Sequence, residues 1–362
     1  MAQQNLTPFE ATHPGTLIKD ELDLRDDLKQ KDLAKEMGVK ASFLNEIIKG
    51  KRPITADCAV ILEKILGIPA DYWMRFQSQY EIDKARIKEK NIERIKNVET
   101  WGIIKEYVPV KYFNKQKYFT DSLESDIQTV KEIYDISTID ELVAKASENK
   151  FAFYRKSDKL TIDEKNMFAW SSLAAYEAKK QKVNTFNPDN INQLCISLNK
   201  VFFENNDTIE NTKKVLSQYG IKFVKIEKLE KTPIDGYSFW SDDNPAIALT
   251  LRHNRIDNFA FTILHEIAHI DLHLKADKEK KYIHLFNVKD KSIAEKEADK
   301  YAELKLIPEN VWADIQNNLP LNDTKIIELG NKHNLNPAIL LGKVRFEMNY
   351  YARKTIIDKK LN

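Results

Sequence analysis

The residues with the clearest chemical potential form a His-Glu-Ile-Ala-His stretch at positions 265–269. An α-helix turns by about 100° per residue, so His265 and His269 project from the same side. Apolar residues fill the other positions around them: Ile263, Leu264, Ile267, Ala268, Ile270 and Leu274. The pattern predicts a buried helix with one polar stripe. Two unpaired imidazoles would be costly to bury there, and a bound metal ion removes that cost.

Zn²⁺ is the cofactor that this spacing favours. His265 and His269 leave room for one further protein ligand and a water molecule, which is the ligand set of catalytic zinc sites. We expect one Zn²⁺ per chain. Glu266 lies beside the stripe and is the predicted catalytic residue, which accepts a proton from that water and later donates it to the leaving amine. An amphipathic helix with two histidines at chance spacing would show the same pattern.

The third metal ligand is expected in the sequence Glu-Lys-Glu-Ala-Asp-Lys-Tyr-Ala at positions 295–302. Glu295 and Asp299 are four residues apart and share a helix face with small alanines, which permit close packing on another helix. We take Glu295 as the ligand and Asp299 as the residue that orients a ligand histidine. Glu297 projects from another side of the helix and is the rival ligand.

Two histidines near the motif are interpreted as structural, and the roles of one strand and of three aromatic residues are left open. His273 is interpreted as a pocket or structural residue, and His284 as part of a polar loop with no role in the site. The strand 246–251 precedes the motif, and it is either an edge strand that pairs with a substrate peptide or an ordinary internal strand. The aromatic side chains near position 236 either wall a cleft or pack in the core; they are Tyr237, Phe239 and Trp240.

A second functional pattern occupies residues 29–49. Two short helical segments meet at Gly38, where the first helix ends and a positive φ is required. This spacing predicts a helix-turn-helix, whose second helix enters the major groove of DNA. A small helical bundle with a solvated basic turn would share the pattern.

The outward face of the second helix and the basic segment after it are the predicted DNA-binding surface. Its residues are Lys40, Ser42, Phe43, Asn45, Lys49, Lys51 and Arg52. Asparagine reads adenine edges, whereas lysine and arginine bind phosphates. We therefore expect operator DNA as a partner.

The elements that position these residues change along the chain. Glycine and proline divide the first 80 residues into short helices, and a charged helix is expected over 81–100. Strands are predicted where the apolar period becomes two, after residue 220, and helices return near 257. The expected regions are 1–80 for DNA binding, 81–160 as a helical connection and 161–362 around the metal. The predicted fold class is all-α followed by α+β.

Composition narrows the classes of function. The 362 residues carry 57 Lys plus Arg and 55 Asp plus Glu, and this near balance neither requires nor excludes nucleic acid. No run reaches the roughly 18 apolar residues of a membrane helix. The first residues lack the features of a signal peptide, and Cys58 and Cys195 are the only cysteines. We expect a cytoplasmic protein with no membrane partner and no cysteine-rich zinc cluster.

The N-terminal region resembles the HigA-type antitoxins of the Xre helix-turn-helix superfamily, whose fold is lambda-repressor-like. The resemblance rests on His13-Pro14-Gly15, Asp32-Leu33-Ala34, residues 50–57 and Trp73. It implies a homodimer through this domain, a palindromic operator and repression of the protein's own gene. Residues 40–43 depart from the more polar reading face of such proteins, which leaves the operator sequence open.

The C-terminal region resembles the ImmA/IrrE zinc metallo-endopeptidases. The resemblance rests on residues 265–273, 295–302 and 306–308, with agreement also at 169–170, 219–221, 234–236 and 258–262. It implies a zincin-like fold, peptide hydrolysis of the gluzincin type, and a bacterial or phage-derived protein that removes DNA-bound repressors. Tyr301 replaces the usual Phe, and no catalytic motif position is missing.

Two functions are consistent with these patterns. The first is a DNA-binding regulator whose zinc endopeptidase cleaves a partner repressor, a toxin or the chain itself, which relieves repression. The second is a non-proteolytic antitoxin and repressor whose zinc domain is a sensor or a scaffold. A digestive protease is disfavoured, because the chain shows no export signal and carries a DNA-binding pattern.

Overall fold

The computed structural model describes residues 8–153, 163–286, 291–319, 321–348 and 354–362. The chain forms two compact units that divide after residue 100. This differs from the expected connection over 81–160, whose end at 160 lies outside the described residues. The segment after residue 100 belongs to the second unit because its side chains enter that unit's core, including Ile104, Val108 and Phe113.

The first unit is all-α, as the glycine and proline pattern predicts. Its helices are α1 (Gly15–Asp23), α2 (Gln30–Glu36), α3 (Ala41–Ile48), α4 (Ala56–Leu66) and α5 (Ala70–Arg86). A further helix, α6 (Glu89–Tyr107), begins in this unit and ends in the second, so the expected helix over 81–100 is shared between α5 and α6. Leu33, Leu44, Ile47 and Trp73 are fully buried in the core of this unit.

The turn between α2 and α3 depends on Gly38. Its φ is +66°, in the left-handed region that glycine adopts without steric cost. Val39 follows the turn and packs, partly buried, against the core. The sequence therefore sets both the end of α2 and the start of α3.

The second unit begins with helices that pack on both faces of a sheet. They are α7 (Val110–Lys115), α8 (Leu123–Tyr134), α9 (Ile139–Phe153), α10 (Glu164–Lys179), a 3₁₀ turn (Pro188–Asn190), α11 (Ile191–Glu204) and α12 (Thr208–Gln218). After the first strands come α13 (Ile256–Ala268), a π-helix (His269–Leu274), α14 (Ile293–Leu306), α15 (Glu309–Gln316), α16 (Asp323–Lys332) and α17 (Pro337–Glu347).

The strands of the described part of the chain form one mixed sheet. They are β1 (Lys222–Lys225), β2 (Ile234–Ser241), β3 (Asn244–Leu249) and β4 (Tyr282–Leu285), in the spatial order β1-β3-β2-β4. β3 pairs in parallel with β1 and antiparallel with β2. The edge-strand interpretation of 246–251 is therefore wrong, because both sides of β3 are already paired.

The sheet separates two apolar layers. Along β3, Ile247 and Leu249 contact the layer that contains α13, whereas Ala246 and Ala248 contact the layer that contains α10. Tyr237 and Phe239 are almost fully buried in the second of these layers, so they pack in the core. No helix in the described ranges is both long and apolar enough to cross a membrane.

Candidate metal centre and nucleic-acid interface

α13 carries two histidines into the interior of the second unit. Ile263, Leu264 and Ile267 are fully buried, and they hold the helix against the core. His265 and His269 are also fully buried, and their Nε2 atoms lie 3.1 Å apart. The predicted polar stripe is therefore present on a buried helix.

α14 brings a carboxylate to these two rings. Ala298 and Ala302 are fully buried, which lets α14 pack closely on α13. Glu295 Oε1 lies 3.2 Å from His269 Nε2, and Glu295 Oε2 lies 3.3 Å from His265 Nε2. Burial alone would raise the pKa of Glu295, but hydrogen bonds from the two histidines outweigh it and hold this pKa well below its usual range.

Glu297 lies outside this cluster. Its side chain is more than half exposed, and Oε2 lies 3.1 Å from His273 Nε2. His273 Nδ1 lies in turn 3.1 Å from His269 Nδ1. The structure therefore places Glu295 among the histidine nitrogens and connects the rival Glu297 to His269 only through His273.

A third histidine joins the cluster from the sheet. His284 lies on β4, and its Nδ1 is 2.7 Å from His265 Nε2 and 3.5 Å from Glu295 Oε2. The loop interpretation of His284 is therefore wrong. The alternation of Tyr282, Ile283, His284 and Leu285 is the period of a strand, and it is the signal that could have found this residue.

Side chains behind the cluster contact its histidine rings. Asp299 Oδ1 lies 3.0 Å from His265 Nδ1, and Lys291 donates to the other carboxylate oxygen of Asp299. Tyr282 stacks on His269 with ring centroids 4.5 Å apart. A carboxylate behind a ligand histidine fixes its tautomer and orientation, which is the role predicted for Asp299.

The cluster fits a metal ion. With the His265 proton on Nδ1, towards Asp299, the Nε2 atom presents a lone pair to the other members of the cluster. Ring nitrogens of His269 and His284 and an oxygen of Glu295 lie within 3.3 Å of that atom. Lone pairs this close repel one another unless a proton or a metal ion lies between them. Imidazole nitrogen and carboxylate oxygen are donors that Zn²⁺ prefers.

Glu266 is buried between α13 and β2. Ser238 Oγ lies 2.5 Å from Glu266 Oε2, while Oε1 has no hydrogen-bond partner among the described residues. A Cβ at Gly236 would lie 2.1 Å from Oε1, so only glycine leaves space for this carboxyl. Burial raises the pKa of Glu266 to about 8, against the opposing influence of His265 and Ser238. The carboxyl can therefore take up and release a proton near neutral pH.

The predicted DNA-binding residues lie on and after α3 in the first unit. Lys40, Ser42, Lys49, Lys51 and Arg52 are exposed. The other two predicted residues, Phe43 and Asn45, are half-buried, and Phe43 packs against the edge of the core.

Arg52 is the most constrained member of this surface. Its guanidinium carbon lies 4.7 Å from the centre of the Phe43 ring, and its Nε donates to Glu46 at 2.9 Å. Lys49 and Lys51 are exposed, whereas the guanidinium of Arg52 is paired with Glu46.

The comparisons with known proteins concern about a quarter of the chain. Residues 18–73 match the family described as Helix-turn-helix, which confirms that prediction. Virulence-associated protein I of Dichelobacter nodosus is 34% identical over 85 residues, which are 24% of this chain and 79% of that protein. Virulence-associated protein A' of the same organism is 36% identical over 73 residues, which are 20% of this chain and 63% of that protein.

Two solved structures are similar over the same share of the chain. An addiction module antidote protein of a HigA family from Coxiella burnetii is 31% identical and covers 24% of this chain and 92% of its own, with a TM-score of 0.23. The Pseudomonas aeruginosa antitoxin HigA, solved with the higBA promoter, is 31% identical and covers 24% of this chain and 91% of its own, with a TM-score of 0.22.

Proposed function

Because the chain belongs to the family of virulence-associated protein I and carries a helix-turn-helix domain, we propose that it is an operator-binding repressor of the antitoxin type. In this proposal the second unit is a zinc-dependent endopeptidase of the zincin type, which cleaves a regulatory protein and relieves repression. The observation that carries the enzymatic half is the convergence of imidazole nitrogens and one carboxylate beside the buried Glu266.

The DNA-binding half of the proposal rests on α3. Lys40 and Ser42 are exposed at the start of this helix, and Lys49 and Lys51 are exposed at and after its end. The N-terminal part of a recognition helix contacts bases, and lysines at its far end bind the backbone of the duplex. A homodimer on a palindromic operator would place two such helices one turn of DNA apart.

The residues of the second unit have separate roles in peptide hydrolysis. Zn²⁺, when bound, supplies the Lewis acidity that lowers the pKa of water towards about 7. His265, His269 and Glu295 would hold it, and Asp299 orients His265. Glu266 accepts the proton of the attacking water and returns it to the leaving amine. Ser238 fixes the Glu266 carboxyl by its hydrogen bond.

The substrate class in this proposal is a protein of the same regulatory circuit: a partner repressor, a toxin or another copy of this chain. A second candidate function is a non-proteolytic antitoxin and repressor whose zinc domain is a sensor or a scaffold. The contact between His284 and His265 favours this candidate, because four protein donors are typical of structural zinc sites.

Zinc content and peptide hydrolysis, measured on one preparation of the full chain, separate the two candidates. We expect one zinc per chain and cleavage of a fluorogenic peptide library by the wild type or by His284→Ala. Glu266→Gln should keep the zinc and lose about 100-fold or more in rate, because it cannot take up the proton. If zinc-loaded wild type and His284→Ala both cleave nothing and stay intact by mass spectrometry, the enzymatic proposal is wrong and the structural candidate stands.

A further inference from the structure

The cluster gathers four protein donors, one more than a catalytic zinc site uses. Ligand atoms of His265, His284 and Glu295 lie within 4.8 Å of one another, and His269 Nε2 lies 3.1 Å from His265 Nε2. This inference rests on the proposed metal site. We propose that His284 is a displaceable fourth ligand that closes the site. The resting chain is then a latent peptidase. A catalytic zinc site has three protein ligands and a water, whereas a site with four protein ligands is closed. His284 would occupy the position that the water needs.

The position of His284 is built into the sheet. Side chains alternate along β4, so Ile283 and Leu285 pack into the layer that contains α10, while Tyr282 and His284 face the histidines of α13. His284 pairs with Gly236 of β2, next to a register shift in the β2–β4 ladder. Two apolar anchors and a fixed register therefore hold the imidazole in place.

Glu266 and His284 both adjoin Gly236 of β2. Its Oε2 accepts the Ser238 hydroxyl, and its Oε1 abuts Gly236, the residue that pairs with His284. The predicted base and the fourth donor are thus connected through one position of β2.

β4 is the element that has to move for the site to open. It is four residues long, and among the described strands it pairs only with β2. Moving β4 away would remove His284 and the stacked Tyr282 together, and it would leave His265, His269 and Glu295. That set is the two-histidine, one-carboxylate arrangement of catalytic zinc sites.

Cobalt-substituted full chain tests this closure without any peptide substrate, because the visible absorption of Co²⁺ reports its coordination. The variants are His284→Ala and, as the matched control, His333→Ala, since among the described residues the His333 ring pairs with Asp314 and with no member of the cluster. Acetohydroxamate serves as the probe for an open coordination position. We expect it to change the spectrum of His284→Ala at concentrations at least tenfold below those that affect wild type and His333→Ala.

The dissociation constant for Co²⁺ gives a second measurement. His284→Ala should weaken binding by about 10- to 100-fold, at least as much as losing a residue that orients a ligand. His284→Gln, which keeps more of the side-chain volume, serves if the alanine variant does not fold, and it should open the site in the same way.

The outcomes separate this inference from the proposed metal site. If His284→Ala or His284→Gln matches wild type in spectrum, Co²⁺ affinity and acetohydroxamate response, while His265→Ala loses the metal, the closure is refuted and the metal site stands. If His265→Ala binds Co²⁺ as tightly as wild type, the metal site itself is refuted.

Discussion

The two candidate sites of this chain are built in opposite ways. The predicted DNA-binding surface consists mostly of exposed side chains on one short helix and the segment after it. The metal cluster joins fully buried histidines of α13 to residues of α14 and β4. Substitutions at the first site should change binding without changing the fold, whereas substitutions at the second should change both.

The largest effect should be the loss of zinc affinity when the proposed carboxylate ligand is removed. Glu295→Ala should weaken zinc binding by about 100-fold or more, because ligand removal exceeds the 10- to 100-fold cost of losing an orienting residue. Glu297→Ala is the matched control, since Glu297 is exposed and touches only His273 in the cluster. Competition with a zinc chelator measures the zinc affinity of both variants. Equal losses would show that the cluster is not organised around Glu295.

A pair of serine substitutions compares the two environments directly. Ser238→Ala removes the hydroxyl that contacts buried Glu266, and it should lower the free energy of unfolding by about 1–3 kcal/mol. Ser42→Ala, on the exposed start of α3, should change it by less than about 0.5 kcal/mol. Urea denaturation measures both variants. If both substitutions lower the free energy of unfolding by a similar amount, the proposed difference between the buried and the exposed site is wrong.

The DNA-binding surface is tested by removing two phosphate-binding candidates. The double variant Lys49→Ala/Lys51→Ala should bind a random-sequence duplex about tenfold more weakly, with a salt dependence reduced by about 2 in slope. Its melting temperature should not change, because both lysines are exposed. Lys64→Ala, an exposed lysine on α4, is the control for a general loss of charge. If Lys64→Ala has the same effect, the surface is placed wrongly.

Alanine substitutions at two glycines should give the smallest difference in stability. Gly38 has a φ of +66°, so Gly38→Ala should destabilise the chain by about 1 kcal/mol. Gly102 lies inside α6 with open space around it, and Gly102→Ala should stabilise the helix by about 0.5–1 kcal/mol. Thermal unfolding measures both the expected loss and the expected gain of stability. A stabilising Gly38→Ala would show that the turn between α2 and α3 does not need glycine.

The sequence predicted what depends on local pattern. The first 80 residues form short helices, as the glycine and proline pattern predicts, and Gly67 ends α4. The pairing of His265 with His269 follows from helix geometry alone. The approach of Glu295 was predicted because the small Ala298 and Ala302 indicate close helix packing.

What the sequence did not predict depends on contacts between distant segments. The arrival of His284 beside His265 follows from the pairing of β4 with β2, which no local period specifies. The internal position of β3 follows from its parallel pairing with β1 across a crossover. The division after residue 100 depends on which core takes up the apolar face of α6. Each of these is decided by tertiary packing.

The strand order β1-β3-β2-β4 also has a consequence for the time course of folding. Parallel pairing and distant strands require long loops to close before contacts form, and such topologies fold slowly. The helical first unit depends on nearby contacts, and it leaves the ribosome first. We therefore expect a nascent chain to fold its helix-turn-helix while the later sheet is still assembling, before the histidines of α13 and β4 come together.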